Sequence, residues 1–83
     1  MRKYDPLADY LRTLKLTERR MMFAEIEEII GSKLPPTALK RAQWWENDPS
    51  PSRQSYAWLK EGWITGDVDV GGGKVTFRRP HSG

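Results

Sequence analysis

The 83-residue chain has room for one domain, and because a chain this short buries only about 60% of its unfolded surface, its core must rest on a few large side chains. It has no cysteine, which excludes disulfides and thiolate metal sites, and no apolar run near the ~20 residues that a membrane span needs. The formal charge of +3 favours an anionic partner without requiring one, and the lack of a signal-peptide pattern makes a cytoplasmic location the expectation.

We expect a single domain over residues 1–83, with short flexible tails at 1–3 and 80–83. The first predicted element is a helix over 5–15. Asp5-Pro6 suits its first turn, since proline lacks only an N–H that would be unpaired there. Apolar residues recur at the three-and-four spacing of an amphipathic helix, namely Leu7, Tyr10, Leu11 and Leu14.

Residues 16–22 leave two alternatives open. In one, Thr17 caps a long helix that runs on through the next apolar stretch. In the other, Arg19 to Met22 form a strand, and a helix covers 23–31 with a glycine at its end. The strand is favoured, because the C-terminal hairpin would otherwise be a two-stranded ribbon of marginal stability.

Proline-rich breaks delimit two further predicted helices, one over 37–46 and one over 52–62. The first of them contains two adjacent tryptophans, which cannot share one helix face because neighbours are turned by about 100°. Trp45 is therefore expected in the core, and Trp44 is expected to be partly exposed or to lie against a neighbouring element.

The chain ends with a glycine-tipped hairpin, whose strands are predicted at 64–70 and 74–79. A helix followed by such a hairpin is typical of the end of a winged helix-turn-helix, so the sequence predicts a small α+β domain of winged helix-turn-helix-like type. In that arrangement the last helix lies in the major groove, and the hairpin tip reaches the backbone or the minor groove. We therefore expect a small DNA-binding protein, either a transcriptional regulator or a phage- or defence-associated module, with duplex DNA as its partner.

The candidate DNA contacts lie on the helix predicted over 52–62, on the hairpin and on the helix before them. On the helix, side chains that suit base edges or nearby phosphates are Ser52, Arg53, Gln54, Ser55, Tyr56 and Lys60. Other candidates are cations that would contact phosphates: Lys40, Arg41, Lys74, Arg78 and Arg79. Phosphate contacts position the protein on DNA but do not specify a base sequence. Trp44 is a candidate for stacking a splayed base.

A family resemblance rests on three stretches: FAEIEEIIGSKLPPTALKRAQWWEND, SRQSYAWLKEGW and KVTFRR. Together they resemble a small, largely uncharacterised prokaryotic domain family with the pattern Y-x-P-L, F-x-E-I-E-x-x-L-G-x-x-L-P-x-S-A, W-W-x-N, A-W-L-x-x-G-W and V-x-F-x-R. The match extends from Tyr4 to Arg79. Thr37 stands where serine is usual, which keeps a capping hydroxyl, and Met22 stands where a serine or threonine is expected. The resemblance implies fold boundaries more than a mechanism.

The residues do not form a catalytic constellation. The one histidine, His81, falls in a predicted tail, and no glycine-rich loop joins a strand to a helix to hold a phosphate. We therefore expect no enzyme activity, no cofactor and no metal site. The alternative function is a protein-protein interaction adaptor or inhibitor without nucleic-acid contact, which would use the acidic helix or the hairpin edge. A homodimer is compatible with either function.

Overall fold

The computed structural model describes residues 3–80, so residues 1, 2 and 81–83, which include His81 and most of the predicted tails, lie outside the described part. Over the described residues the fold is α+β, with four α-helices, one 3₁₀ helix and a three-stranded antiparallel sheet of order β1-β3-β2. In chain order the elements are α1 Asp5–Thr13, β1 Glu18–Met22, α2 Phe23–Ile30, α3 Pro36–Lys40, the 3₁₀ helix Ala42–Trp45, α4 Tyr56–Leu59, β2 Ile64–Asp69 and β3 Lys74–Arg78. α1 ends earlier than the predicted 5–15 because Leu14 takes an extended conformation. No helix in this part of the chain has the length and apolarity to cross a membrane.

The predicted third strand is confirmed. β1 pairs antiparallel with β3 along its whole length, with Arg20 opposite Thr76, and α2 begins directly after β1 at Phe23. The alternative of one long helix from Thr17 is therefore wrong. α2 ends where predicted, at Gly31, whose φ of 73° lies in the left-handed region that glycine adopts without strain.

The Glu25 side chain joins the start of α2 to the free edge of β1. Its Oε1 accepts the Met22 N–H at 2.9 Å, and its Oε2 lies 2.8 Å from Nη2 of Arg19. The Arg19 guanidinium also donates to the carbonyl of Arg20. Two backbone groups of this edge strand therefore have partners within the chain.

Glu25 should make the stability of the domain depend on pH. The hydrogen bond from the Met22 N–H, and then the Arg19 guanidinium, lower the pKa of the Glu25 carboxyl. Its stabilising contribution is therefore present above the pKa of the unfolded chain and is lost as pH falls through the lower folded pKa. Because the side chain is 41% exposed, we expect a contribution on the order of only 0.5 kcal/mol.

Urea unfolding of the wild type and of Glu25→Gln, at about pH 7 and about pH 3, measures this contribution. The wild type should be the more stable protein at the higher pH, and the difference should shrink at the lower pH. A difference that stays constant would show that the carboxylate charge does not stabilise the fold.

Trp45 lies at the centre of the core. Its ring stacks on Phe23 with 5.0 Å between centroids and on Trp58 with 6.0 Å, and its indole N–H donates to the Ala38 carbonyl at 2.9 Å. The prediction that Trp45 is buried and Trp44 only partly buried is confirmed. Other large buried side chains of this core are Leu7, Leu11, Met21, Ile26, Trp63, Val75 and Phe77.

The helix predicted over 37–46 is broken in two. α3 starts at Pro36 without a side-chain cap from Thr37, and it ends where Arg41 takes extended backbone angles, φ −126° and ψ 122°. The chain then continues as a 3₁₀ helix. The break lets the indole of Trp45 reach back to a carbonyl of α3, so tertiary packing overrides the continuous helical pattern of the sequence.

The C-terminal hairpin is present, and each of its strands ends one residue earlier than predicted. β2 has an irregularity between Gly66 and Asp69, where Asp67 has a φ of 46°. At the hairpin tip the carbonyl of Gly73 accepts the Phe23 N–H at 2.7 Å. This bond holds the tip against the start of α2.

Candidate nucleic-acid interface

The segment predicted as a helix over 52–62 consists mostly of turns, and α4 covers only Tyr56–Leu59. Upstream, the Asp48 carboxylate accepts the Ser50 N–H at 2.9 Å, and this bond is the largest of the contacts that lower the pKa of the Asp48 carboxyl. The Arg53 N–H then donates to the Ser50 carbonyl at 3.0 Å. These short-range bonds offer the backbone an alternative to a helix, and the prediction of a long helix here is wrong.

Two of the candidate DNA contacts from this segment point into the protein. Ser55 is 1% exposed, and its hydroxyl donates to the Asp48 carbonyl at 2.6 Å. Gln54 is half-buried, and its amide nitrogen donates to the carbonyl of Trp44 at 2.6 Å. Both side chains therefore hold the turns in place: the Ser55 hydroxyl is buried with its donor used, and one N–H of the Gln54 amide is taken by the Trp44 carbonyl.

A groove between the start of α1 and the turn segment collects most of the other candidates. It consists of two adjoining pockets that share Tyr4, Arg53 and Gln54; Tyr56 and Lys60 line one of them, and Ser52 lines the other. Nε of Arg53 lies 3.4 Å from the Asp48 carboxylate, and Nζ of Lys60 lies 3.5 Å from Oδ1 of Asp5. The structure thus brings these residues together, but against α1 and beside carboxylates, so the open basic helix face that the sequence predicted is not formed.

Arg78 and Arg79 are engaged within the fold. Arg78 donates from Nε to Glu18 at 3.0 Å and from Nη2 to Asp67, and these hydrogen bonds, that to Asp67 first, raise the pKa of its guanidinium. Since Glu18 lies on β1 and Asp67 on β2, Arg78 connects all three strands. The Arg79 guanidinium lies 5.1 Å from the centre of the Trp63 ring.

Lys40, Arg41 and Lys74 are the candidate contacts that stay open. Lys40 and Arg41 are exposed where α3 breaks, and Lys74 is half-buried at the base of the hairpin tip. Among residues 3–80, none of these three cations has a carboxylate within ion-pair distance. They are therefore available to an anionic partner without first breaking a contact inside the domain.

Trp44, the candidate for stacking a base, lies against two other aromatic rings. It meets Trp45 edge-on with 4.7 Å between centroids, and Tyr4 edge-on with 5.7 Å. The prediction that it packs on a neighbouring element is confirmed. These contacts leave the ring half-buried beside the start of α1.

Asn47 is the central contact that the sequence patterns did not reveal. Its side-chain oxygen accepts the Thr65 N–H at 2.9 Å and the indole N–H of Trp58 at 3.0 Å, and its amide nitrogen donates to the Thr65 carbonyl at 3.2 Å. The Thr65 hydroxyl donates to the carbonyl of Trp45. Asn47 therefore occupies part of the free edge of β2 and fixes the segment after the 3₁₀ helix to the sheet. The available signal was its place two residues after the double tryptophan.

Residues 4–80 match the family model described as Domain of unknown function (DUF7662). The matched span is almost the same as the one over which the sequence resembles a small uncharacterised domain family. No curated protein matches the chain, and no solved structure matches it.

Proposed function

The chain belongs to the DUF7662 family, a domain of unknown function, and on that premise we propose from its own geometry that it binds duplex DNA as a small winged-helix-like protein. A transcriptional regulator is the biological role that suits this activity. The observation that carries the proposal is the order of its elements: a helix, a strand, two helices and a final hairpin, whose last strand pairs between the other two. The short α4 is an addition to that order.

The position of the hairpin tip supports the same reading. The bond between the Phe23 N–H and the Gly73 carbonyl keeps the tip beside the start of α2, the first helix of the pair α2–α3. In a helix-turn-helix the second helix enters the major groove while the first crosses the backbone. A hairpin tip held next to this pair would reach the adjacent backbone or minor groove.

In this proposal α3 takes the groove-facing role that was predicted for the helix over 52–62. Thr37 and Lys40 lie three residues apart on the exposed face of α3, and the exposed Arg41 follows directly after its end, while Ala38 is fully buried. Lys40 and Arg41 would neutralise phosphates. Gln43, exposed on the 3₁₀ helix, would supply the bidentate amide that suits adenine.

The hairpin contributes a close backbone approach and one cation. Gly71 and Gly72 are exposed at the tip and have no side chains, so the chain can come near a phosphate backbone without steric hindrance. Lys74 follows at the base of the tip with no carboxylate partner among the described residues. It would add a phosphate contact that positions the domain.

The test is a mobility-shift titration with a pool of duplexes at about 50 mM and about 200 mM salt. The wild type should bind more weakly at the higher salt. Lys40→Ala/Arg41→Ala should reduce affinity about tenfold to a hundredfold at low salt and lower the salt slope by about two, because each lost phosphate contact retains one more counterion on the DNA.

The matched control is Arg12→Ala/Lys15→Ala, which removes the same charge from the end of α1 and the loop after it. It should leave the salt slope nearly unchanged. Equal losses in the two double variants would mean that only net charge matters, and absence of duplex binding at low salt would remove the proposal.

A further inference from the structure

The outer face of the sheet, turned away from the core, has a polar centre. Along β3 the buried Val75 and Phe77 face the core, so Lys74, Thr76 and Arg78 share the opposite face. The strand register places Arg20 on one side of Thr76 and Gly66 on the other. Thr76 thus occupies the middle of this face, between the cation Arg20 on β1 and Gly66, which has no side chain, on β2.

The Thr76 hydroxyl has no partner. Thr76 is 1% exposed, and its Oγ1 makes no hydrogen bond within the described residues. A buried hydroxyl without a hydrogen-bond partner destabilises the folded state. Such a group in a native protein is therefore a candidate for ligand binding or another function. The buried Thr65 is the contrast, because its hydroxyl bonds to the carbonyl of Trp45.

Two cations near Thr76 have no carboxylate partner in the described part of the chain. Arg20 and Lys74 have no carboxylate within ion-pair distance among residues 3–80. Both carboxylates that meet Arg78, those of Glu18 and Asp67, are occupied by that guanidinium. The remaining carboxylate, on Asp69 opposite Lys74, accepts the N–H of Gly72 at the hairpin tip.

The space left by the missing side chain at Gly66 is occupied by the Arg78 guanidinium. Nη1 of Arg78 lies 2.6 Å from where a Cβ of residue 66 would stand, so the guanidinium extends over the glycine beside Thr76. A ligand at Thr76 would therefore meet the cations of β1 and β3 and the Thr76 hydroxyl between them.

We propose that the outer face of the sheet binds a phosphate group, with the Thr76 hydroxyl donating to one phosphate oxygen and with Arg20 and Lys74 pairing with the others. Arg20 is exposed, so its guanidinium can meet a phosphate oxygen from solvent. The shared chemistry is that of a phosphate ester, whether free in solution or part of a nucleic-acid backbone. The inference does not require the DNA-binding proposal: Lys74 takes part in both, but Thr76 and Arg20 take part only here and Lys40 and Arg41 only there.

The experiment follows the backbone amide shifts of the full chain during titration with inorganic phosphate, with chloride at equal ionic strength as the reference. Arg20, Lys74 and Thr76 should shift with phosphate and saturate. Thr76→Val and Arg20→Gln should each weaken binding about tenfold, since each removes a hydrogen bond to a charged group. Lys15→Gln, which removes an exposed cation elsewhere, should bind like the wild type.

A stability measurement separates loss of the site from loss of the fold. Without phosphate, Thr76→Val should unfold at the same or a higher urea concentration than the wild type, because it removes an unpartnered hydroxyl and keeps the β-branched shape. Thr65→Val should unfold at a lower concentration, because it removes a bonded hydroxyl. A less stable Thr76→Val protein would mean that the hydroxyl already has a partner, which would overturn the proposal.

Shifts with phosphate no larger than those with chloride, or wild-type phosphate binding by Thr76→Val, would also overturn it. The duplex titration of the same variants distinguishes the source of the phosphate. A parallel loss of duplex affinity in Thr76→Val assigns the site to the nucleic-acid backbone, and unchanged duplex affinity assigns it to free phosphate esters. Phosphate binding by a protein that binds no duplex would keep this site and remove only the DNA-binding proposal.

Discussion

Asn47→Ala should lower the free energy of unfolding by about 2–4 kcal/mol, which is a large part of the stability of a domain this small. The alanine removes the acceptor of the Thr65 N–H and of the Trp58 indole N–H, together with the donor to the Thr65 carbonyl. Trp58 is fully buried, so its indole N–H would lose its partner from within the fold. A buried donor that loses its partner costs about 1–3 kcal/mol.

Urea unfolding followed by tryptophan fluorescence measures this loss. Asn47→Asp keeps an oxygen acceptor and loses the amide donor, so its stability should lie between those of the alanine variant and the wild type. Gln43→Ala, on the exposed side of the 3₁₀ helix, should stay within about 0.5 kcal/mol of the wild type. A loss below about 0.5 kcal/mol for Asn47→Ala would show that Asn47 is not needed to hold the segment to the sheet.

The two adjacent tryptophans should differ sharply when each is replaced by alanine. Trp45→Ala removes the ring between Phe23 and Trp58 and should cost about 3–5 kcal/mol. Trp44→Ala removes a half-buried ring whose aromatic contacts are with Tyr4 and Trp45, and we expect about 1–2 kcal/mol. The difference reflects burial, since the two side chains have the same size.

Thermal unfolding by circular dichroism compares them directly. For a domain of this length about 1 kcal/mol corresponds to a fall in Tm of roughly 4–8 °C, so a difference of about 2.5 kcal/mol should make Trp45→Ala melt about 10–20 °C below Trp44→Ala, if it folds at all. Trp45→Phe keeps an aromatic ring in the stack and should recover part of the loss. Equal melting temperatures for the two alanine variants would contradict the packing described for the double-tryptophan segment.

The parts of the fold that could be predicted are those with local signals. The strand before α2 was found because a two-stranded hairpin is marginal and needs a third partner. The end of α2 was found from Gly31, whose positive φ suits that residue. The different burial of Trp44 and Trp45 followed from the turn of about 100° between neighbours in a helix. The last two inferences need only a few residues of context, whereas the strand was inferred from the requirement of a hairpin that is distant in sequence.

The candidate site depended on contacts that are distant in sequence, and these could not be predicted. Lys60 meets Asp5, and Gln54 meets the carbonyl of Trp44, because α1 and the double-tryptophan segment pack against the turns. The helical pattern of the segment was also ambiguous. One helical turn and a long helix have the same local pattern, so the predicted length is wrong, and Ser55, predicted as a DNA contact, is buried.

On both edge strands of the sheet, side chains of the same chain hydrogen-bond to backbone groups with which a strand of another protein would pair. On β2 the Asn47 amide satisfies the N–H and the carbonyl of Thr65, and on β1 Glu25 and Arg19 take the N–H of Met22 and the carbonyl of Arg20. A tethered side chain outcompetes a strand at cellular concentrations, because its own effective concentration is far higher. The native domain should therefore resist templated growth into fibrils, and strand donation by another protein would first require these side chains to detach.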